Sequence, residues 1–319
     1  MSQSTHTIPT SLGIDFGGTS VKFGVVRGQE VIGHAPAITT EDYQEAEPLI
    51  DAIAYVIENL RNQYPEISAI GVGVPGFVDF PTGTIHNLTN VQGWKNIPLR
   101  DILHKRTQLP VVVENDANCM AYAEWKVGAG VGIDHLVCIT LGTGVGGGII
   151  THGHMLRGAR SIAGELGQTS IDYQGRQGAY GNLGALEDYI GNNEIAAEAR
   201  DVYASHGIKK SIADCTPASL SKDAAGGDDL ALTIWTGIAQ KLACTILNTC
   251  WILNPAAVII GGGVAKAGEI LFNPLKESIQ QQLAPSFLDG LKILPAHFSN
   301  NAGIIGAGAL ALEEANQAE

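Results

Sequence analysis

The sequence predicts two α/β domains, and three observations support this. The chain has 319 residues, which is enough for two domains of ordinary size. Hydrophobic residues make up 45% of the chain and charged residues 16%, so there is enough apolar material for two packed cores. A strand, a glycine-rich turn and a second strand occur once in each half, as in a loose internal duplication.

The first half is predicted to run strand, strand, strand, helix, strand, helix, strand, helix, which gives a mixed sheet covered by helices. Apolar residues at helical spacing mark the first of these helices, and Pro65 lies just past its end. The segments assigned by their pattern are, in chain order, Leu12–Phe16, Val21–Val26, Val31–His34, Pro48–Asn62, Ala69–Val74, Val111–Glu114 and Ala117–Lys126.

The second half repeats this order, with two strands around a glycine turn, a long apolar helix and a strand that leads into three glycines. These segments are His135–Leu141, Gly147–Thr151, Asp229–Leu253 and Ala257–Ile260. A last predicted helix, Asn301–Ala315, is rich in Ala and Gly and is expected to return to the first domain. We therefore expect a small α/β domain made of residues 1–125 and the C-terminal helix 301–319, and a large α/β domain made of residues 126–300. Hinges are expected near Glu124–Gly130 and Ser299–Gly303.

Charge and composition exclude several classes of partner. The formal net charge is −13, and a negative surface field repels nucleic acid, anionic membranes and a polyphosphate donor. The polar start, Met1–Thr10, has no basic region followed by an apolar core, and no apolar run is long enough to span a bilayer. The five cysteines form no CxxC pair, and an odd number of cysteines in a chain without an apparent signal peptide is typical of reduced, cytoplasmic thiols. We expect a cytoplasmic protein that binds small molecules.

The two glycine turns are candidate phosphate sites. In Asp15-Phe16-Gly17-Gly18-Thr19, glycines let backbone N–H groups face an anion, and the Asp15 carboxylate is suited to Mg²⁺ or its bound waters. The turn containing Thr143 and Gly144 offers a similar nest in the second half. A strand follows each turn, so neither is a Rossmann or P-loop motif, and an ordinary tight turn is the alternative for each. The segment Gly261-Gly262-Gly263 suits an adenine or ribose shelf, or else a simple strand–helix turn.

The order of the motifs along nearly the whole chain resembles the ROK family. The matching segments are Asp15-x-Gly17-Gly18-Thr19, Gly73-Val74-Pro75-Gly76-x-Val78-Asp79, Glu114-Asn115-Asp116-Ala117-Asn118, Gly142-Thr143-Gly144-x-Gly146-Gly147-Gly148, Gly164-Glu165-Leu166-Gly167, Leu186-Glu187, Gly227-Asp228 and Ile260-Gly261-Gly262-Gly263. That family contains bacterial sugar kinases and sugar-responsive repressors. The resemblance implies an actin/hexokinase-like (ribonuclease-H-like) two-domain ATPase fold with a central cleft, and a homodimer.

The resemblance also implies the catalytic residue. A sugar hydroxyl needs a group that takes its proton, and an Asp at the end of a buried strand suits this task. Asp116 is the expected base, and Asn115 beside it is suited to hydrogen-bond a hydroxyl. The alternative for this pair is a helix N-cap. Lys22 is more typical of a solvated or structural lysine and is given no role.

The remaining sugar-binding residues are expected to be Gly76, Glu165, Gln168 and Glu187, by the same resemblance. Carboxylates accept hydrogen bonds from adjacent hydroxyls, although each glutamate taken alone resembles a surface acid. Nucleotide binding is expected from Asp15, Gly17, Gly18, Thr19, Thr143, Gly144, Gly262 and Gly263.

The chain departs from the family at a zinc site. Many ROK proteins bind zinc through one His and three Cys, and the corresponding positions here hold Gln168, Gly178, Tyr180 and Ala185. Because a structural zinc site needs about four N or S ligands, no zinc is expected. Hydrogen bonds and packing around Tyr180 are expected to hold the loop instead. Gln168 cannot carry a charge as His does, so sugar affinity or choice is expected to differ.

These observations predict an ATP- and Mg²⁺-dependent hexokinase that closes its domains on sugar and nucleotide. Glucose is the leading substrate because Gly93-Trp94-Lys95-Asn96-Ile97-Pro98-Leu99 resembles a segment of the family's glucokinases. Fructose, mannose and N-acetylhexosamines remain alternatives, as does a sugar sensor without catalysis. A repressor is disfavoured, because Asp15 arrives too early for a preceding DNA-binding domain and the charge is wrong for DNA.

Overall fold

The computed structural model describes residues 8–88, 91 and 93–318. Most of the segment Met1–Thr10, which the sequence analysis examined for a signal peptide, lies outside these residues. The chain forms two compact units. The first unit contains residues 1–132, 155–163 and 300–319, and the second contains residues 133–154 and 164–299. Residues 155–163 thus belong to the first unit, although the chain on both sides of them belongs to the second.

The first unit is built on a five-stranded mixed sheet. Its strand order is β3-β2-β1-β4-β8. Strand β2 is antiparallel to its neighbours β1 and β3, and β4 is parallel to its neighbours β1 and β8. The strands are β1 (Thr10–Phe16), β2 (Ser20–Arg27), β3 (Glu30–Thr39), β4 (Ile67–Val74) and β8 (Val111–Asn115). A small three-stranded sheet, which the sequence analysis did not predict, contains β5 (Phe77–Asp79), β6 (Thr84–Asn87) and β7 (Lys95–Ile97). These strands are too short to show an alternating pattern.

Four helices complete the first unit. They are α1 (Ala46–Gln63), α2 (Leu99–Thr107), α3 (Asp116–Val127) and α10 (Ala302–Ala318). The backbone of α10 lies directly on the sheet, because a Cβ on Gly13 would be 1.9 Å from the Ile304 carbonyl oxygen and one on Gly71 would be 1.8 Å from that of Ala307. Glycines in the central strands therefore allow backbone-to-backbone packing, which side chains would prevent. Helix α10 packs against β1, β4 and α3 of this unit.

The second unit repeats the mixed sheet with strand order β11-β10-β9-β12-β13. Strand β10 is antiparallel to β9, and β12 is parallel to both β9 and β13. The strands are β9 (Leu136–Leu141), β10 (Val145–Thr151), β11 (His154–Met155), β12 (Ala257–Gly262) and β13 (Lys292–Pro295). The loose duplication that the sequence analysis inferred is therefore a duplication of sheets.

The helices of the second unit are α4 (Glu187–Ile190), α5 (Asn192–Ser205), α6 (Pro217–Ala225), α7 (Asp229–Leu253), α8 (Glu269–Gln282) and α9 (Pro285–Leu288). After the three glycines the chain first forms a 3₁₀ turn, Val264–Ala267, and α8 begins only at Glu269. Among the described helices, α7 alone has the length and apolar character of a membrane span. It buries Trp235, Leu242 and Ile246 and packs along α8, which is the behaviour of a core helix.

Candidate functional site

The first glycine turn joins β1 to β2 and is held in shape by hydrogen bonds. The Gly17 N–H donates to the Ser20 carbonyl oxygen at 2.8 Å, and the Thr40 hydroxyl donates to the Gly18 carbonyl oxygen at 2.7 Å. The Thr40 N–H also donates to the carbonyl oxygen of Thr19 at 3.1 Å. Because these contacts fix Gly18 and Thr19 through their carbonyl groups, the turn is rigid without using its side chains.

Asp15 lies just before this turn, paired with Lys22 across the β1–β2 ladder. The Lys22 Nζ is 3.8 Å from a carboxylate oxygen of Asp15. Burial raises the pKa of Asp15, and the positive charge of Lys22 lowers it in part. Gly303, in the first turn of α10, lies against the same carboxylate. The Asp15 carboxylate is an oxygen ligand of the kind that Mg²⁺ prefers, and Lys22, which was given no role, is its nearest cation.

The junction of β8 and α3 carries Asn115 and Asp116. The Asn115 Oδ1 accepts hydrogen bonds from the backbone N–H groups of Ala117, at 2.9 Å, and Asn118, at 3.1 Å, so Asn115 is the N-cap of α3. Its Nδ2 donates to the carbonyl oxygen of Gly76 at 3.2 Å. Asp116 also accepts from the Ala117 N–H, at 2.9 Å. The capping alternative is therefore correct for Asn115, whose amide group still retains a second N–H donor.

The strand register of the first unit brings these groups to one sheet edge. Asp15 in β1 pairs with Gly73 in β4, and Gly73 pairs with Glu114 in β8. The carboxyl ends of three parallel strands therefore meet, which is where ligands bind in open α/β sheets. Burial raises the pKa of the Cys119 thiol, and the negative charges of Glu114, Asp116 and Asp15 raise it further. Gly73, the partner of Asp15 in the sheet, also lies against the start of α3, since a Cβ there would be 3.6 Å from Asp116 Cα.

In the second unit, Glu187 contacts the second glycine turn. One of its carboxylate oxygens accepts a hydrogen bond from the Val145 N–H at 2.8 Å, and the other accepts from Gln168 Nε2 at 3.2 Å. The same carboxylate crowds Gly144, where a Cβ would lie 2.3 Å from Oε2. One backbone N–H at the end of this turn is therefore bonded to a carboxylate of the protein, and Gly144 is required for close approach.

Glu165 and Glu187 form a pair of acids in the second unit. Partial burial raises the pKa of Glu165, and the negative charge of Glu187 raises it further. The backbone N–H of Gln168 donates to the Glu165 carbonyl oxygen at 3.1 Å, and its side chain donates to Glu187, so Gln168 contacts both glutamates. The structure thus brings together Glu165, Gln168 and Glu187, as the sequence analysis predicted for a sugar site.

The nucleotide candidates of the second unit also lie at one sheet edge. Thr143 and Gly144 lie in the turn between β9 and β10, directly after Leu141. Gly262 pairs with Leu141 at the end of β12, and Gly263 follows it. The two glycine segments, which are far apart in sequence, are therefore adjacent at the carboxyl ends of two parallel strands.

The loop at the family's zinc position is held by hydrogen bonds. Asn182 Nδ2 donates to the carbonyl oxygen of Gln168 at 3.0 Å and to its side-chain Oε1 at 3.3 Å. The Arg176 N–H donates to the Tyr189 hydroxyl at 3.0 Å, and the Arg176 guanidinium lies over the Tyr189 ring. The expected packing around Tyr180 is wrong, because that side chain is 63% exposed. Asn182, which the sequence analysis did not single out, is the residue that anchors the loop to Gln168.

The side chains present do not fit a zinc ion. The aligned ligand positions supply a Gln amide, a Gly, an exposed Tyr and an Ala, and none of these is a thiolate or imidazole. Within residues 8–88, 91 and 93–318, no group of three or more His, Cys, Asp and Glu side chains is placed to hold a metal ion.

The comparisons with known proteins agree with this geometry. A family model described as the ROK family matches residues 11–314. A glucokinase of Halalkalibacterium halodurans is 35% identical over 320 residues, covering 97% of this chain and 96% of that protein. A glucokinase of Thermotoga maritima is also 35% identical, over 95% of this chain and 97% of that protein. The crystal structure of a ROK family glucokinase from Streptomyces griseus in complex with glucose and AMPPNP is 30% identical, with a TM-score of 0.81 over 95% of this chain and 99% of that one.

Proposed function

Because this chain belongs to the ROK family and has its actin/hexokinase-like fold, we propose that it is an ATP-dependent hexokinase that converts glucose to glucose 6-phosphate. The observation that carries the proposal is the position of Asp116 at the sheet edge that also presents Asp15 and the first glycine turn. A carboxylate beside a phosphate-type turn is what transfer of a phosphoryl group to a hydroxyl requires. Glucose is preferred because the curated relatives named above are glucokinases.

In this proposal, the first unit supplies the residues that activate the sugar hydroxyl and bind Mg²⁺. Asp116 accepts the proton of the sugar 6-hydroxyl while the oxygen of that hydroxyl forms a bond to the γ-phosphorus of ATP. The bond from that phosphorus to the bridging oxygen breaks, and ADP leaves. Asn115 uses its remaining amide N–H to orient the sugar, beside the backbone of Gly76. Asp15 would hold Mg²⁺, directly or through water, and this ion neutralises phosphate charge when bound.

The second unit supplies sugar recognition. Glu165 and Glu187 accept hydrogen bonds from neighbouring hydroxyls, and Gln168 both donates to Glu187 and contacts the sugar. For the nucleotide, we assign Gly17, Gly18 and Thr19 from the first unit and Thr143, Gly144, Gly262 and Gly263 from the second. Backbone N–H groups of Gly18, Thr19 and Gly144 would stabilise charge on the transferring phosphoryl group, whereas Gly17, whose N–H donates to Ser20, would shape the first turn.

The proposal is tested by measuring ADP release from Mg·ATP with purified protein and a panel of glucose, mannose, fructose and N-acetylhexosamines. We expect turnover to be fastest with glucose, and the product to carry phosphate on O6. Fastest turnover with another sugar would replace glucose as the substrate and keep the kinase. Absence of turnover with every sugar, while a sugar still raises the melting temperature, would favour a sensor and refute the proposed catalysis.

We also propose that the enzyme works without zinc, as a cytoplasmic homodimer that binds neither nucleic acid nor membranes. The hydrogen bonds from Asn182 to Gln168 support a metal-free loop. Elemental analysis of the purified protein should find no stoichiometric zinc. Activity should survive a zinc-selective chelator in excess Mg²⁺ and should be lost when Mg²⁺ is withheld. Light scattering should give twice the chain mass of 33.4 kDa.

A further inference from the structure

A buried ion pair lies directly behind the proposed catalytic residue. Glu114, the last residue before Asn115-Asp116, is 1% exposed, and its Oε2 is 2.7 Å from the Nε of Arg157. Removing a carboxylate from water is costly unless a cation and hydrogen bonds compensate. Arg157 supplies the cation, with only 22% of its side chain exposed.

The other oxygen of Glu114 holds the start of α3. Its Oε1 accepts hydrogen bonds from the backbone N–H of Asn115, at 2.8 Å, and from Asn118 Nδ2, at 3.1 Å. Asn118 is itself buried, at 2% exposure. One carboxylate thus fixes the backbone on the N-terminal side of Asp116 and a side chain two residues beyond it. The Glu114 carboxylate therefore holds the segment of backbone that carries Asp116.

Arg157 is well placed to fix that orientation. Its guanidinium lies 3.6 Å from the centre of the Phe80 ring, so the planar group is held against an aromatic face while Nε points at Glu114. The Arg157 carbonyl oxygen accepts the Ala163 N–H at 3.0 Å, which closes residues 157–163 into a compact loop. This loop belongs to the first unit, whereas the chain enters the second unit again at Gly164-Glu165.

We propose that Arg157 is a positioning residue for phosphoryl transfer, which aligns Asp116 through Glu114. This inference rests on the proposed kinase function and extends it to a residue outside the expected catalytic motif. Arg157 contacts no reacting group in this proposal. Its role is to hold the Glu114 carboxylate pointed at the backbone of Asn115, so that Asp116 meets the hydroxyl at a productive distance. Displacement of a catalytic group by about 1 Å lowers the rate on the order of 10²-fold.

The test compares four variants with one matched control. Arg157→Met removes the charge and the hydrogen bond, Arg157→Lys keeps the charge without the planar donor, Glu114→Gln keeps the shape, and Arg157→Met/Glu114→Gln removes both charges. Arg160→Met, three residues further along the same loop and exposed, is the control. Each protein is assayed for kcat, for KM of glucose and ATP, for melting temperature and for amide hydrogen exchange in the peptide that contains residues 115–118.

We expect Arg157→Met to lower kcat on the order of 10²-fold while both KM values change little, because sugar recognition is assigned mainly to the second unit. Arg157→Lys should recover part of the loss. The double variant should lose less than the sum of the two single effects, since no unpaired buried charge remains. Faster exchange in residues 115–118 should accompany each loss of kcat, whereas Arg160→Met should match the wild type in every assay.

The inference is overturned if Arg157→Met lowers the melting temperature but turns over as fast as Arg160→Met, because the pair would then serve stability alone. If Arg157→Met does not fold, Arg157→Lys and Glu114→Gln decide the matter by the same comparison. If the wild type phosphorylates no sugar, the proposed function fails, and the exchange measurement alone decides whether Arg157 orders residues 115–118. Unchanged exchange in that case also overturns the inference.

Discussion

Asn115 and Asp116 are neighbours with different tasks, and two substitutions should separate them. Asp116→Asn keeps the size of the side chain and an oxygen that accepts the Ala117 N–H, but it removes the group that takes the hydroxyl proton. Asn115→Ala leaves Asp116 in place and removes the N-cap of α3 together with the bond to the Gly76 carbonyl oxygen. We expect the first change to affect the reaction and the second to affect the fold as well.

The magnitudes follow from the contacts that each change removes. Loss of a general base costs roughly 10²–10⁴-fold in kcat, which is about 3–5 kcal/mol of activation free energy. Asp116→Asn should lower the free energy of unfolding by no more than about 1 kcal/mol, because it removes a negative charge from the first turn of α3 but leaves the Asn115 cap in place. Asn115→Ala removes a cap worth about 1 kcal/mol and a neutral hydrogen bond worth about 1 kcal/mol. Its melting temperature should fall by roughly 4–8 °C.

The assay is steady-state phosphorylation of glucose, with thermal unfolding measured on the same samples. We expect Asp116→Asn to be nearly inactive with a melting temperature close to that of the wild type. We expect Asn115→Ala to have the lower melting temperature of the two variants. Turnover of Asp116→Asn within about tenfold of the wild type would refute the assignment, since no base contributes so little. Equal destabilisation by both substitutions would refute the separation of tasks.

Three further changes test the second unit. Gly144→Ala should force the Glu187 carboxylate to move by about 1 Å and lower kcat/KM for glucose on the order of 10²-fold. The control is Gly237→Ala, whose Cβ would meet nothing within 4 Å. Equal activity of the two variants would contradict the contact between Gly144 and Glu187. Gln168→Leu removes the hydrogen-bond donor to Glu187 and should raise KM for glucose about tenfold while KM for ATP stays constant. An unchanged KM for glucose would show that Gln168 is not part of the sugar site. Because the pKa of Glu165 is raised, this carboxylate becomes protonated at a higher pH than an ordinary Glu, and glucose affinity should fall there as the pH is lowered. Glu187→Gln removes a neighbouring negative charge and should move this fall to lower pH. The dissociation constant of glucose measured across pH checks this, and an identical midpoint in both proteins would contradict it.

The regular elements could be predicted from the sequence because their signals are local. The predicted helix Asp229–Leu253 matches α7 residue for residue, since apolar periodicity extends over all of it. The small sheet of β5, β6 and β7 was missed because each strand has only three or four residues. In the central strands, the glycines at 13 and 71 carry no hydrophobic signal of their own, so the contact with α10 emerges only in three dimensions.

The candidate site could be predicted in part, through motifs that the chain shares with a family. Asn115-Asp116 and Glu187 fall within such motifs, and the structure places each of them at the end of a strand or the start of a helix. Asn182 and Arg157 could not be found this way. Asn182 acts on a residue 14 positions away and Arg157 on one 43 positions away, and nothing in the sequence announces either contact. Arg157 satisfies the buried Glu114 carboxylate, and Asn182 satisfies two oxygens of the half-buried Gln168.

The docking of α10 on the first sheet has a consequence for biosynthesis. Every residue proposed for the site lies at or before Gly263, but the face of β1 and β4 that carries Gly13 and Gly71 packs against α10, residues 302–318. These residues are synthesised after every residue of the proposed site, and a domain completes its folding only when all of its elements have emerged. A nascent chain that already contains both glycine turns and Asp116 would therefore still expose the bare backbone at Gly13 and Gly71. A premature stop or a proteolytic cut before Ala302 should accordingly yield an inactive, aggregation-prone protein that retains the entire proposed site.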